Sequence, residues 1–348
     1  MSDFHALKLV SVDRLTPNSV ALTFEIPEHL KDAYTFKAGQ YITIKHTVDG
    51  QELRRAYSIS SPPSSQTLTV GIKKMPGGTF SVFANEKLKA GDTLEVMLPD
   101  GRFLFEPNGP KNIAAFAAGS GITPIMSIAQ TVLGSDPTSL FVLVFGNQSP
   151  EETMYFKEIQ ALKTKYTNRF FVQYVYSRSH EEDALFGRIE KSTVNFVLKN
   201  KFKDTQFDGF YLCGPEDMIH LVSDTLKGNG IAEDKIHFEL FTTDDSEDVL
   251  AEVLEGKTKV EVVLDDETFT FIMDRKERVL DAVLKEDIDA PYSCQGGVCS
   301  SCIARIKEGK AEMAKNQILT DGEISEGFIL TCQAHPLTST LKVDYDDV

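Results

Sequence analysis

Four of the five cysteines of this chain stand at Cys294-x4-Cys299-x2-Cys302-x29-Cys332, the first three inside the run PYSCQGGVCSSC over residues 291–302. The spacing reads as the binding loop of a plant-type two-iron, two-sulfur cluster, which needs four thiolates converging on one small loop. Gly296 and Gly297 let the backbone curl around such a cluster and turn N–H groups toward its sulfurs. The rival is a structural zinc site, which normally pairs two Cys-x2-Cys or Cys/His knuckles; here one such pair is joined by an extra Cys five positions before it and a distant single Cys.

Two further constellations carry chemistry of another kind. Arg55-Ala56-Tyr57-Ser58 lies on an expected strand, and Gly77-Gly78-Thr79-Phe80-Ser81 leads into an expected helix. An Arg on a strand can clamp a pyrophosphate, an aromatic two residues on shares its face and can stack on a planar ring, and the adjacent hydroxyl can bond that ring's edge. Gly78, Thr79 and Ser81 offer donors at a helix N-terminus, an anion site. Together they suit a flavin dinucleotide; separately, Tyr57 reads equally as barrel core, Arg55 as a surface charge and the glycines as a plain turn.

The other constellation opens at Gly119-Ser120-Gly121-Ile122-Thr123-Pro124, between an apolar strand and a helix, where glycines permit close backbone approach to a phosphate. It lacks the full GxGxxG fingerprint. Cys213-Gly214-Pro215 ends another expected parallel strand, the place where open α/β sheets hold ligands, although a lone apolar-strand cysteine is as often a core thiol. Ser177-Arg178 closes a third strand and Arg188 follows; either guanidinium suits a ribose phosphate or a solvated surface.

The elements that must position these residues follow from the hydrophobic period. Up to about Pro107, β-rich runs at Ser19–Ile26, Gln40–His46, Ala56–Ser60, Thr67–Lys73 and Thr93–Leu98 predict a small antiparallel barrel. From Asn112 the pattern alternates strand and helix: Ile113–Ala118 then Pro124–Leu133, Leu140–Phe145 then Glu151–Tyr166, Phe170–Tyr176, Gly209–Cys213 then Glu216–Gly228, and Lys235–Leu240. That alternation predicts a parallel sheet covered by helices. The acidic stretch Thr242–Lys257 reads as a linker. Strands at Lys259–Leu264 and Thr268–Met273, a helix from about Val279 and the cysteine loop make a third unit of about 90 residues. The expected domains are therefore 1–107, 108–241 and 258–348, joined by 242–257.

At 348 residues the length suits two or three domains. The net charge of −16 argues against a nucleic-acid partner and favours solubility or a basic protein partner. No run approaches the ~20 apolar residues of a membrane span, the N-terminus MSDFHALKLVSVDR has no secretory pattern, and the cysteines leave no disulfide framework. A cytoplasmic location is expected.

Taken in order, FKAGQY, ELRRAYSISS, GIKKMPGGTFS, AAGSGITP, VFGNQS, YSR, LFGRI, YLCGPEDM, HFELF, PYSCQGGVCSSC and GFILTCQAHP make the whole chain resemble the ferredoxin-NADP reductase superfamily with a C-terminal plant-type ferredoxin domain. The resemblance implies an antiparallel β-barrel FAD domain, a doubly wound α/β nucleotide domain and an α+β, β-grasp ferredoxin domain. It implies that Arg55, Tyr57 and Ser58 bind FAD, with Ser58 near the reactive flavin nitrogen, that Ile72 and Lys73 line the flavin and its phosphates, and that Gly78, Thr79, Phe80 and Ser81 hold the pyrophosphate. Phe241 would lie over the isoalloxazine. Gly119, Gly121, Thr123, Pro124, Cys213, Gly214 and Pro215 would form the nucleotide site, with Thr123 and Cys213 facing the nicotinamide. Ser177, Arg178 and Arg188 would receive the adenosine phosphate, favouring NADPH over NADH. Two departures stand out: Gln148 where related reductases often carry Arg after Gly-Asn, and Gln295 where plant ferredoxins commonly carry Arg after the first ligand. The implied activity is electron transfer from NADPH through FAD and the cluster to a separate oxygenase, foremost a di-iron oxygenase acting on phenylacetyl-CoA. Another oxygenase, a lipid desaturase or a hybrid-cluster protein are the other acceptors, and a non-catalytic redox sensor or carrier is the reading of another class.

Overall fold

The computed structural model describes residues 4–48, 50–65, 67–241 and 254–348. Two compact units result: His5–Phe241, and a second made by the remainder of the chain. The expected linker falls at 242–253 outside the described residues, and its last expected residue, Lys257, already begins a strand of the second unit.

The first unit opens with a barrel of β1 (Phe4–Thr16), β2 (Ser19–Glu25), β3 (Tyr41–Val48), β4 (Gln51–Ser58), β5 (Leu68–Lys73) and β6 (Thr93–Met97), in sheet order β4-β3-β6-β1-β2-β5. β1–β2, β2–β5, β3–β4 and β3–β6 all pair antiparallel. The two outer strands close on each other through an isolated antiparallel bridge between Ile59 and Val70. Leu7, Leu9, Leu22, Phe24, Ile42, Ile44 and Ile72 fill the interior, as the period of two requires. α1 (Thr79–Glu86) buries Phe80 and Ala84 in the same core.

Strand β1 is absent from the sequence-based reading. Its alternation is broken past Val10: the register slips between Leu9 and Ser11 and again between Arg14 and Thr16, and the half-buried pair Ser11–Val12 and the exposed pair Asp13–Arg14 follow no period of two. Such bulges erase the alternation that identifies a strand.

The nucleotide sheet has the strands β7 (Asn112–Ala118), β8 (Leu140–Asn147), β9 (Phe170–Tyr176), β10 (Ala184–Phe186), β11 (Gly209–Gly214) and β12 (Ile236–Leu240), ordered β10-β9-β8-β7-β11-β12 and parallel throughout. Chain order reverses between β7 and β11, which makes that gap the topological switch point. Helices α2 (Ile122–Ser135), α3 (Phe156–Lys165), α4 (Lys191–Asn195) and α5 (Glu216–Gly228) connect the strands. In α2, Ile122, Ile125, Met126, Ile128, Ala129, Val132 and Leu133 are buried, and Pro124 sits in the first turn, where no helical N–H is lost.

Where the sequence predicts one helix over Glu151–Tyr166, the chain makes a 3-10 turn at Pro150–Glu152, and α3 starts only at Phe156. The break is at Tyr155, a non-glycine residue at φ 58°, whose ring is drawn into the core together with the Met154 side chain. The short β10, α4 and the π turn Phe196–Lys201 were also unforeseen.

The second unit holds a mixed five-stranded sheet, β14-β13-β19-β15-β17, from β13 (Lys257–Leu264), β14 (Glu267–Asp274), β15 (Ile303–Glu308), β17 (Phe328–Leu330) and β19 (Thr340–Asp344). β16 (Ala311–Met313) pairs with β18 (Ala334–Pro336) separately. α6 (Val279–Lys285) buries Val279, Leu280, Ala282 and Val283 in the same core as Val260, Val262, Leu341 and Val343, and α7 (Asp321–Ser325) is closed by a capping box of Thr320 and Glu323. Among the described residues no helix is long and apolar enough to cross a membrane.

Candidate functional site

On β4, Arg55 is exposed, Tyr57 half-buried and Ser58 buried. The Tyr57 ring tilts against Phe80 of α1, with 5.7 Å between centroids, and burial raises the pKa of its phenol, so the ring is a neutral surface. Phe80 is a core side chain at 3 % exposure, which leaves only its backbone N–H for an anion. Ile72 is likewise 0 % exposed inside the barrel, so its side chain lines no open site and only its backbone is available. Gly78 caps α1, and a Cβ there would lie 2.5 Å from Ser81 Oγ. Ser81 Oγ accepts from the Met75 N–H at 3.1 Å and closes the loop that carries both glycines. No acidic residue stands in the first turn of α1, so its N-terminal dipole is uncancelled.

At the switch point, the 3-10 turn Gly119–Gly121 and Cys213-Gly214-Pro215 come together at the ends of β7 and β11. A Cβ on Gly121 would stand 2.1 Å from the Cys213 carbonyl oxygen, so only glycine permits this approach. The place a Gly119 Cβ would take lies 3.6 Å from Lys73 Nζ, which brings the barrel's lysine over the nucleotide turn. Thr123 Oγ1 donates to Ser120 O at 3.0 Å, so its hydroxyl is spent on the turn. The first turn of α2 carries no acid, whereas that of α5, after Pro215, carries Glu216 and Asp217. A phosphate is therefore better received at α2.

Ser177 and Arg178 follow β9, their N–H groups donating to Asn147 O and Gln148 O at 3.0 and 2.9 Å. Arg178 and Arg188 are both exposed, and neither guanidinium has an ion-pair partner among the described residues. Phe241, following β12, is 37 % exposed.

Glu239 was not singled out as a functional group from the sequence. Ser58 Oγ donates to its Oε2 at 2.9 Å, and in the β11–β12 register it stands opposite Cys213. All three groups are buried. Burial pushes the Glu239 carboxyl up to about 8, partly offset by the Ser58 hydrogen bond, and burial next to Glu239 pushes the Cys213 thiol up. Both are thus protonated at neutral pH. The signal was a lone acid between Phe238 and Leu240 on an otherwise apolar strand. Because its folded pKa lies above the ordinary 4.5, the neutral form stabilises the fold fully at low pH, and that stability is lost as pH rises toward about 8. Thermal stability should fall between about pH 5 and 8, and Glu239→Gln should flatten that slope by an amount on the order of a few kcal/mol, each tenfold in proton affinity being worth about 1.4 kcal/mol. Differential scanning calorimetry across that range measures it; an unchanged slope in the variant contradicts the assignment.

In the second unit, Cys299, Cys302 and Cys332 are buried, Cys294 is partly so, and none is in a disulfide. Cys294 lies beside Cys299 and Cys332, and Cys332 beside Cys302, so the four thiols are neighbours. Contacts with Cys299 and Cys332 lower the pKa of Cys294, the direction that favours the thiolate a metal requires. Gln295 and Gly297 adopt φ 55° and 73°, and the Gly296 N–H donates to Cys294 Sγ at 3.4 Å. Gln333 Nε2 donates to Gln295 O at 2.9 Å, so the residue after the first ligand is held by its backbone to the residue after the last. No three of His, Cys, Asp or Glu close on a point small enough for one ion among the described residues. A chain of four thiols beneath a backbone donor fits a two-iron cluster better than a single zinc.

A β-barrel with an anion-receptive helix, a parallel sheet with a glycine turn at its switch point and a four-thiol loop on a mixed sheet define an oxidoreductase of the ferredoxin reductase class. Residues 6–105 match the oxidoreductase FAD-binding domain, 116–224 the oxidoreductase NAD-binding domain and 262–337 the 2Fe-2S iron-sulfur cluster binding domain. The chain is 35 % identical to one component of the 1,2-phenylacetyl-CoA epoxidase of Escherichia coli (strain K12), over 99 % of each protein. It is 30 % identical to the 3-ketosteroid-9-alpha-monooxygenase ferredoxin reductase component of Rhodococcus rhodochrous, over 97 % of this chain and 96 % of that one. Phthalate dioxygenase reductase shares the fold at a TM-score of 0.62 and 20 % identity, over 98 % of both chains. The chain belongs to this family of ferredoxin-reductase-type oxidoreductases with a C-terminal 2Fe-2S domain.

Proposed function

We propose that the chain is the NADPH-dependent reductase component of a multicomponent oxygenase, and that its partner is the di-iron oxygenase acting on phenylacetyl-CoA. When bound, FAD exchanges a two-electron hydride donor for single electrons, and a 2Fe-2S cluster carries these outward one at a time. The chain's own groups bind, orient and shield. Arg55 would clamp the flavin pyrophosphate with the N–H groups of Thr79 and Phe80 and the hydroxyl of Ser81, on the turn that Gly78 closes by donating its N–H to Met75 O at 3.0 Å; Tyr57 would supply a flat apolar face, and Phe241 would cover the opposite one. Ser58, whose hydroxyl donates to the neutral Glu239, presents its oxygen as an acceptor at the flavin's reactive edge. Lys73 and the α2 N-terminus hold nucleotide phosphates, while Thr123 and Cys213 bound the nicotinamide without adding charge. Cys294, Cys299, Cys302 and Cys332 ligate the cluster.

The preference for NADPH rests on Arg178 and Arg188, two exposed guanidinium groups with no carboxylate among the described residues to compete for them. Ser177 adds a hydroxyl at the same strand end. Arg178→Ala should lower kcat/KM for NADPH by roughly 10–100-fold, the range of one lost charge-assisted contact, while the value for NADH stays within about twofold. Steady-state kinetics with both nucleotides measure this; an unchanged preference removes Arg178 from the role.

The observation that carries the choice of partner is 35 % identity along 99 % of both chains with the epoxidase component, against 30 % along 97 % and 96 % with the 3-ketosteroid one. Reconstitution tests it. The purified protein, mixed with the remaining phenylacetyl-CoA epoxidase components, should oxidise NADPH and consume oxygen in a phenylacetyl-CoA-dependent way. Full support of a 3-ketosteroid monooxygenase with none of the epoxidase would assign a different acceptor.

A further inference from the structure

We propose that Tyr155 is a positioning residue for the nicotinamide–flavin encounter: a phenol sent from the nucleotide domain into the barrel that sets the distance between the two binding sets. The inference rests on the FAD and nucleotide sites proposed above.

Tyr155 sits at φ 58°, in the left-handed region that a bulky side chain avoids, and it ends one helical path so that α3 must begin after it. Such a conformation persists only where the surroundings over-determine it. Here they do. The Tyr155 hydroxyl donates to Ser60 Oγ at 2.8 Å, a buried bond between the two halves of the unit, and burial raises its pKa so that it remains a neutral donor. Ser60 is two residues from Ser58, and its own N–H donates to Thr69 O at 2.8 Å across the barrel closure.

The same phenol presses on β5. A Cβ at Gly71 would lie 2.6 Å from the Tyr155 hydroxyl and 2.8 Å from the Thr123 methyl, so both side chains fill the space that this glycine leaves. Gly71 directly precedes Ile72 and Lys73, and Thr123 bounds the nicotinamide side. One phenol therefore meets the segment just beyond the strand of the flavin hydroxyl and the strand of the phosphate lysine, at the place that the Thr123 methyl also approaches. Ser127 Oγ to Ser61 O at 2.7 Å, Gln130 Nε2 to Ser60 O at 3.1 Å and Ser58 Oγ to Glu239 also brace the junction, but none of them engages the Ser60 hydroxyl, which accepts from Tyr155 and donates to Thr69 O at 3.1 Å. A shift of about 1 Å between reacting groups costs up to about 100-fold in rate. A rigid spacer at this point thus acts on turnover more than on binding.

The test is Tyr155→Phe, which removes the hydroxyl and keeps the ring, with Ser60→Ala and the double variant beside it. FAD content and the Kd for NADP+ should match the unmodified protein, which checks the sites themselves. Turnover of NADPH should fall by roughly fivefold, one buried hydrogen bond, with KM within about twofold. The long-wavelength charge-transfer absorbance on nucleotide binding should weaken, and the kinetic isotope effect with 4-deuterated NADPH should rise. The double variant should be no worse than Ser60→Ala alone, since that substitution already removes the Tyr155 bond together with the donation from Ser60 Oγ to Thr69 O at 3.1 Å. A lower Tm with unchanged kcat, isotope effect and charge-transfer band would overturn the inference and leave Tyr155 as packing. Loss of FAD or of NADP+ affinity would instead count against the sites on which it rests.

Discussion

Cys299→Ser removes electron delivery to an oxygenase while sparing flavin chemistry. The four thiols are neighbours, and Cys299 is buried beside Cys294. Serine retains the shape and loses the soft thiolate that iron prefers. Loss of even an outer partner of a metal ligand costs roughly 10–100-fold, so loss of a ligand should abolish acid-labile sulfide and cut reduction of a one-electron protein acceptor by at least that much. FAD should remain at one per chain and NADPH-driven reduction of ferricyanide should persist, because the flavin motifs lie in the other compact unit. Metal and sulfide analysis with the two acceptor assays reads all three. A variant that keeps its sulfide, or binds zinc in its place, removes Cys299 from the ligand set.

The second large effect is expected at Gly121. A Cβ there would meet three backbone atoms of β11, Cys213 O at 2.1 Å, Cys213 C at 2.4 Å and Gly214 N at 2.8 Å. Backbone cannot rotate away as a side chain can, so in Gly121→Ala the end of β11 must move by about 1 Å, carrying Cys213 with it. Overpacking of this kind costs about 3 kcal/mol, and the displaced site should lose roughly 100-fold in kcat/KM for the pyridine nucleotide. Gly134→Ala is the control. It lies near the end of α2 with nothing within 4 Å of its Cβ, and alanine should be neutral or stabilising there. Equal losses in both variants would show that the effect is not one of close approach at the switch point.

What could be read from the sequence divides along contact distance. The cysteine loop was legible because three of its four thiols fall within nine residues, and the glycines that shape it lie between them. Strand–turn–helix patterns at Gly119–Pro124 were legible for the same reason: the turn chemistry is local. Ser58 and Glu239 are 181 residues apart, and nothing in either neighbourhood announces the bond between them. Tyr155 hid more deeply, since Glu151–Tyr166 has a helix's composition, and only the pull of Ser60 and Gly71 from another domain breaks it. β16, β17 and β18 have three residues each, too short for any period. Phe80 and Ile72 show the converse: resemblance assigned them to a ligand, while their side chains are barrel core and only their backbone remains for it.

The central claim, that reducing equivalents from a pyridine nucleotide reach the loop of Cys294, Cys299, Cys302 and Cys332, is open to one direct measurement. The purified protein, first assayed for one FAD, two irons and two sulfides per chain, is mixed anaerobically with NADPH, frozen and examined by electron paramagnetic resonance. The account predicts the signal of a reduced two-iron, two-sulfur cluster in the unmodified protein and its absence in Cys299→Ser. A fully loaded protein that gives no cluster signal with NADPH, yet gives it with dithionite, would contradict the account.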